Sequence, residues 1–166
     1  KSLYPESYDH DVPDDLTYCG SKKLTDKIEN YDIGKMLLSP TRSYAPLLKK
    51  IFEKVGRNKI NGIIHCTGGG QTKILHFVDD LHIMKNNLFE TPPIFKLIMN
   101  ESNTDPKEMY KVFNMGHRME IYIHPDYASD IIEISKSVGI DAKIIGEVLN
   151  SQKKKLSIQS ELGNFE

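Results

Sequence analysis

The densest chemistry in this sequence sits in one run, His65-Cys66-Thr67-Gly68-Gly69-Gly70. Consecutive glycines free the backbone from the limits that a Cβ imposes, so it can turn sharply and bring bare N–H groups against a ligand. A helix starting there would add its positive end, an arrangement suited to a phosphate or another anion. Thr67 offers a hydroxyl, and His65 is placed to donate to an oxyanion or shuttle a proton. A tight turn beside a core histidine would use the same residues with no ligand at all. The run is not a Walker loop, because no Gly-Lys-Ser/Thr follows it. Nor does it have the G-x-G-x-x-G spacing of a dinucleotide fingerprint.

Two further groups carry polar chemistry next to turn-forming residues. In Phe113-Asn114-Met115-Gly116 the Asn114 carboxamide donates and accepts in one plane, and Gly116 permits a close approach or a positive φ. A helix stop explains that tetrapeptide more simply than a ligand does. In Ser39-Pro40-Thr41-Arg42 a proline-fixed turn presents Thr41 and Arg42, either to cap a helix or to hold a phosphate, with capping the simpler role. The six histidines (10, 65, 76, 82, 117 and 124) show no pair at ligand spacing on a helix face with a third carboxylate, so no metal site is expected from them. There is no G-x-S-x-G elbow and no assignable catalytic carboxylate pair.

The elements that must position these groups are legible from periodicity. Leu47, Leu48, Ile51, Phe52 and Val55 follow helical spacing and Gly56 stops them. A short helix is expected from Asp32 to Leu38, ending before Ser39-Pro40. Residues 59–67 read as a β-rich strand running into the glycines, followed by a helix with Ile74, Leu75 and Val78 inward. A strand near Leu81–Lys85 precedes helices opened by Pro92-Pro93 and by Pro106. Met119, Ile121 and Ile123 alternate with Glu120, Tyr122 and His124 as in a half-buried strand. A helix with Ile131, Ile132, Ser135 and Val138 inward ends at Gly139, and Ala142 to Leu149 reads as a strand buried on both faces. Lys153-Lys154-Lys155 suits a turn before a last strand at Leu156–Ile158. Several connections are too short for helical crossovers, so the expected fold is α+β, a mixed and largely antiparallel sheet covered by helices.

Composition narrows the function classes. The chain has 166 residues, 39% hydrophobic, with a formal net charge of −1, which argues against a bulk nucleic-acid binder. No apolar run reaches the roughly 20 residues a membrane span needs, and no membrane association is expected. Cys19 and Cys66 have no metal-binding spacing and suggest no disulfide framework, which fits a reducing cytoplasm. The chain opens at Lys1 without methionine and continues into an irregular Tyr/Pro/Asp-rich stretch, as a fragment of something longer would. The expected organisation is an irregular arm or insertion at 1–30, a single domain at 31–160 and a tail at 161–166.

Taken in order, these pieces resemble the carboxy-terminal domain of aminoimidazole ribonucleotide synthetase (phosphoribosylformylglycinamidine cyclo-ligase). The resemblance rests on Pro40-Thr41-Arg42, His65-x-Thr67-Gly68-Gly69-Gly70, Pro93-x-Phe95, the run Glu108-Met109-Tyr110 through Phe113-Asn114-Met115-Gly116 to Met119, and Ile145-Gly146-Glu147-Val148. It spans about Asp32 to Ile158. The chain departs from the family where Lys73-Ile74-Leu75-His76 stands for the usual Asn-x-Pro-Arg. It departs again where His117-Arg118 stands for a small residue and glycine, which would supply a replacement cation.

The resemblance implies an ATP-dependent ring closure in purine biosynthesis, formylglycinamidine ribonucleotide plus ATP giving aminoimidazole ribonucleotide, ADP and phosphate. It implies ATP and Mg2+ bound mainly through an amino-terminal half absent from this chain, a homodimeric full-length enzyme, and an isolated fragment without turnover. His65 and Asn114 would be its catalytic residues. Thr41, Arg42, Thr67, Gly68, Gly69, Gly70 and Gly116 would bind substrate or phosphate. Two other readings stay open: a related superfamily enzyme (formylglycinamidine ribonucleotide synthetase, selenophosphate synthetase or thiamine-phosphate kinase), or a non-catalytic anion-binding domain. The run from Glu108 to Met119 favours the cyclo-ligase.

Overall fold

A computed structural model describes residues 10–11 and 20–166; the apolar island at Leu16–Tyr18 and Cys19 lie outside the described residues. A two-residue ladder pairs β1 (Lys27–Ile28) with β2 (Tyr31–Asp32) and leads into α1 (Ile33–Leu37), which ends before Ser39-Pro40. The helix expected from the 47–55 spacing is α2 (Ala45–Lys54), with Pro46 in its first turn and Leu47 and Ile51 buried.

The chain then enters β3 (Ile60–His65) and, after the glycines, β4 (Leu81–Lys85). Two proline-opened helices follow, α3 (Pro93–Ser102) and α4 (Pro106–Val112); the Asp105 carboxylate caps α4 by accepting from Lys107 N–H at 2.8 Å. Next come β5 (Met119–Ile123), α5 (Ala128–Lys136), β6 (Gly146–Asn150), β7 (Lys155–Ser160) and β8 (Gly163–Phe165). The 161–166 segment expected as a tail thus carries a strand, paired antiparallel with β7.

The α+β class holds, and the strands divide among separate sheets. β3 pairs antiparallel with β5, His65 standing opposite Met119. The other main sheet runs β6-β4-β7-β8, with β4 and β7 parallel and the remaining pairs antiparallel. The β3–β5 ribbon lies between two cores. On one side Met119, Ile121 and Ile123 pack against Leu47, Ile51, Ile131 and Ile134 of α2 and α5. On the other, Ile64 and Cys66 join Met109, Tyr110, Met115, Ile83, Leu156 and Ile158.

Two expectations need correction. β5 is not half-buried: Glu120, on its polar face, is only 6% exposed, because that face meets the second core rather than water. The segment from Ala142 to Leu149 is not a strand buried on both faces; β6 is an edge strand whose residues 147–150 are exposed. Apolar composition alone could not show that β6 has no strand on its outer side among the described residues. The helix expected after the glycines is present in 3-10 form, Gly70–His76, with Ile74 buried and Leu75 and Val78 packed on the same core. The turn that opens it is left-handed, φ being +88° at Gly69 and +44° at Gly70, which sets a tight turn rather than an α-helical start.

Candidate functional site

Each of the three glycines does something different. Gly70 is a packing residue: a Cβ there would lie 2.4 Å from the Phe113 carbonyl oxygen and 2.7 Å from that of Tyr110, so the turn is wedged against the end of α4. Gly69 supplies the left-handed turn. Gly68 faces open space, with nothing within 4 Å of a built Cβ. The N–H groups of Gly68 and Gly69 make no hydrogen bond among the described residues, whereas Gly70 N–H is spent on the Thr67 carbonyl at 3.0 Å.

A cation closes the mouth of this loop. The Lys73 ammonium donates to the Thr67 hydroxyl at 2.7 Å and to the His65 carbonyl at 3.0 Å. Two N–H groups without a partner among the described residues, a hydroxyl and an ammonium thus lie on one accessible turn, a donor set complementary to an anion. The helical start adds little, because a short 3-10 helix carries a small dipole. The sequence motifs alone do not single out Lys73, which stands only within the departing Lys73-Ile74-Leu75-His76 stretch. The signal that could have found it is a lysine three residues after the glycines, on the next turn.

The exposed His65 ring stands edge-on to Tyr44, with centroids 6.4 Å apart, which brings the segment after Arg42 alongside the loop. Arg42 itself points elsewhere, its Nη1 donating at 2.6 Å to the Gly139 carbonyl beyond α5. Thr41 is exposed and makes no hydrogen bond among the described residues. Asn114 serves its own turn. Its side-chain oxygen accepts from Gly116 N–H at 2.9 Å, and its carbonyl accepts from His117 N–H at 2.9 Å and Gln71 Nε2 at 2.7 Å. Gly116 is left-handed, at φ +95°, and a Cβ there would press the Pro92 ring at 3.0 Å. The structure therefore groups His65, Thr67, Gly68, Gly69 and Lys73, and gives Arg42, Asn114, Gly70 and Gly116 architectural partners.

Behind the loop lies a buried polar network that no sequence motif announces. The Lys85 ammonium, 2% exposed, donates to the Gln71 backbone carbonyl at 2.8 Å and side-chain oxygen at 3.0 Å, and meets the Glu120 carboxylate at 2.5 Å. Tyr122 donates to the other Glu120 oxygen at 2.6 Å. Burial, reinforced by the Glu120 charge, pushes the Tyr122 hydroxyl well above its ordinary range and the Cys66 thiol up to about 12. Cys66 is therefore a protonated core residue and not a nucleophile. Among the described residues no group of three or more His, Cys, Asp or Glu side chains is arranged to hold a metal ion. No described helix is long and apolar enough to cross a membrane.

Comparison with known proteins identifies the family of this domain. The family model described as AIR synthase related protein, C-terminal domain, matches residues 17–159. A phosphoribosylformylglycinamidine cyclo-ligase from Methanococcus vannielii is 38% identical over 116 residues, covering 70% of this chain and 32% of that protein. The Syntrophus aciditrophicus protein of the same name is 34% identical over 140 residues, covering 79% of this chain and 38% of its own length. This chain thus spans about a third of the length of the curated relatives it matches. Among solved structures, the E. coli hydrogenase maturation protein HypE aligns with a TM-score of 0.52 at 18% identity, over 72% of this chain and 36% of HypE. At that identity the likeness concerns the fold.

Proposed function

This chain belongs to the AIR synthase related family as its C-terminal domain, and from that premise we propose that it is the carboxy-terminal part of a phosphoribosylformylglycinamidine cyclo-ligase. The overall reaction would be ATP-dependent closure of the imidazole ring of aminoimidazole ribonucleotide, carried out in the cytoplasm by a homodimer. The observation that carries the reading is the presence of Gly68 N–H, Gly69 N–H, the Thr67 hydroxyl and the Lys73 ammonium on one open turn.

An amide oxygen is a poor leaving group, and phosphorylating it makes it a good one. A site for such chemistry mainly positions its reactants and stabilises charge on the transferring phosphate. In this chain the loop N–H groups and Lys73 would hold a phosphate of the ribonucleotide or nucleotide. Thr67 would orient it, and the exposed His65 ring would donate to developing negative charge or carry a proton. ATP would enter as co-substrate. No acidic cluster suited to Mg2+ occurs among the described residues, so the metal's ligands would come from an amino-terminal domain of the same protein.

Titration calorimetry of this chain with formylglycinamidine ribonucleotide, alone and then with ATP and magnesium, tests the assignment. Saturable binding of the ribonucleotide, competed by inorganic phosphate, is expected. Absence of binding at millimolar ribonucleotide, or binding indifferent to phosphate, would overturn the role given to the loop.

A further inference from the structure

A second recess lies away from the glycine loop. A cleft of about 390 Å³ opens where the parallel strands β4 and β7 end, between residues 86–90 and the β7–β8 hairpin, with Tyr110 of α4 in its wall. That volume falls within the range of roughly 300–1,000 Å³ usual for small-molecule sites. No residue of the 65–70 turn lines it.

Its chemistry is specific. Tyr110 is 2% exposed, yet its hydroxyl has no hydrogen-bond partner among the described residues. It is also not an enclosed orphan atom; His117 Nδ1 is the one such buried side-chain atom among the described residues. The hydroxyl of so buried a residue therefore meets solvent through the cleft that it lines. A buried phenol in that position is a donor and acceptor waiting for a partner. Around it stand the carboxamides of Asn86, Gln159 and Asn164, none of which makes a side-chain hydrogen bond among the described residues. Gln159 and Asn164 face each other in the β7–β8 register.

Charge disfavours the anion expected at the other site. Among the described residues no Lys, Arg or His lines the cleft, the adjacent Lys143 ammonium being spent on the Asn87 side chain at 3.1 Å and the Leu88 carbonyl at 2.7 Å, whereas Glu90 and Glu161 do line it. Both carboxylates are turned to Lys96, at 3.6 and 3.3 Å, and Glu161 also accepts from Thr91 N–H at 2.9 Å. An anion would meet two carboxylates there, and a cation would have to displace Lys96. What remains favourable is an uncharged ligand with donors and acceptors along one edge. Carboxamides pair in this way with nucleobase edges, and the half-buried Phe89 ring, which Lys143 Nζ meets at 4.9 Å, adds an aromatic edge to the wall. We infer that this cleft is a binding site for an uncharged nucleobase or nucleoside, distinct from the phosphate-binding turn.

The test is a two-dimensional NMR titration of the chain with adenosine and with cytidine, alongside ribose and AMP. Adenosine or cytidine is expected to give saturable shifts in residues 86–90 and 159–164, ribose none, and AMP weaker binding at this cleft than adenosine. Asn164→Ala, an exposed change, should weaken nucleoside binding about tenfold with the rest of the spectrum unchanged. Tyr110→Phe should do the same, and if that variant does not fold, the Asn164 variant still decides. The inference is overturned by no response to either nucleoside, by shifts confined to Thr67–Gly70, by an equal response to ribose, by tighter AMP binding at the cleft, or by unchanged affinity in Asn164→Ala.

Discussion

Lys85 and Glu120, brought within 2.5 Å from different sheets, form an ion pair whose side chains are 2% and 4% exposed. Two charges taken this far from water survive only when their remaining hydrogen bonds are made, and Gln71 and Tyr122 make them. Replacing Lys85 with Met strands a buried carboxylate and should cost about 3–5 kcal/mol. The double variant Lys85→Met, Glu120→Leu should recover most of that loss. Urea unfolding of the two variants checks this, and a double variant as unstable as the single one would sink it.

The triple glycine separates cleanly by substitution. Gly70→Ala drives a methyl group into the Phe113 and Tyr110 carbonyls and strains a positive φ. Backbone cannot give way as a flexible side chain does, so a loss of more than about 2 kcal/mol is expected. Gly68→Val has free space and should melt within a few degrees of the parent while obstructing ligand approach. Thermal melts with a ribonucleotide titration would show it; an unstable Gly68 variant contradicts the geometry.

Lys73 gives a prediction about salt. Lys73→Gln removes the one ammonium that touches Thr67 among the described residues and should weaken binding of a phosphate-bearing ligand about tenfold, the scale of one charge-assisted hydrogen bond. Affinity in the variant should also fall less steeply with added salt. An unaltered salt dependence would place the anion elsewhere.

His117 sets a pH limit on stability. The ring is 4% exposed, and its Nε2 accepts from Phe89 N–H at 2.9 Å, which leaves the proton of the neutral ring on Nδ1. Burial holds its pKa down at about 4, against 6.5 for a free side chain. Between those values the unfolded chain takes up a proton that the folded chain refuses. The stabilisation is therefore complete above about pH 6.5 and is lost as pH falls towards 4, by on the order of 3 kcal/mol. His117→Gln, which can still accept from Phe89, should flatten that slope in urea midpoints measured from pH 7 to 4.

Much of this architecture is written in periodicity. The spacing of Leu47, Ile51 and Val55 and the alternation from Met119 to Ile123 locate α2 and β5, because a core face repeats with the element. The same alternation misjudges Glu120, since a polar strand face reads alike whether it meets water or a buried ammonium. Lys85 is the last residue of β4 and looks like an ordinary strand end; its partner is fixed only by how the two sheets meet. The glycine turn is legible as a candidate site, but its division into Gly68, Gly69 and Gly70 depends on the α4 carbonyls that only the fold brings to it. Thr41-Arg42 shows the chemistry of a phosphate site, yet Arg42 reaches Gly139, a contact no local pattern contains.

β4 sits inside its sheet, but both strands that flank it, β6 and β7, come from far downstream in the chain. As the polypeptide leaves the ribosome, β4 therefore waits with both edges bare while α3, α4, β5 and α5 are made. Contacts of such sequence separation close slowly and leave strand edges open to wrong partners in the meantime. The β3–β5 ribbon with α2 and α5 can assemble first, and the second sheet, begun when β6 reaches β4, is complete only when the β7–β8 hairpin arrives. Synthesis of this domain thus passes through a half-built state whose lifetime is set by the arrival of its last two strands.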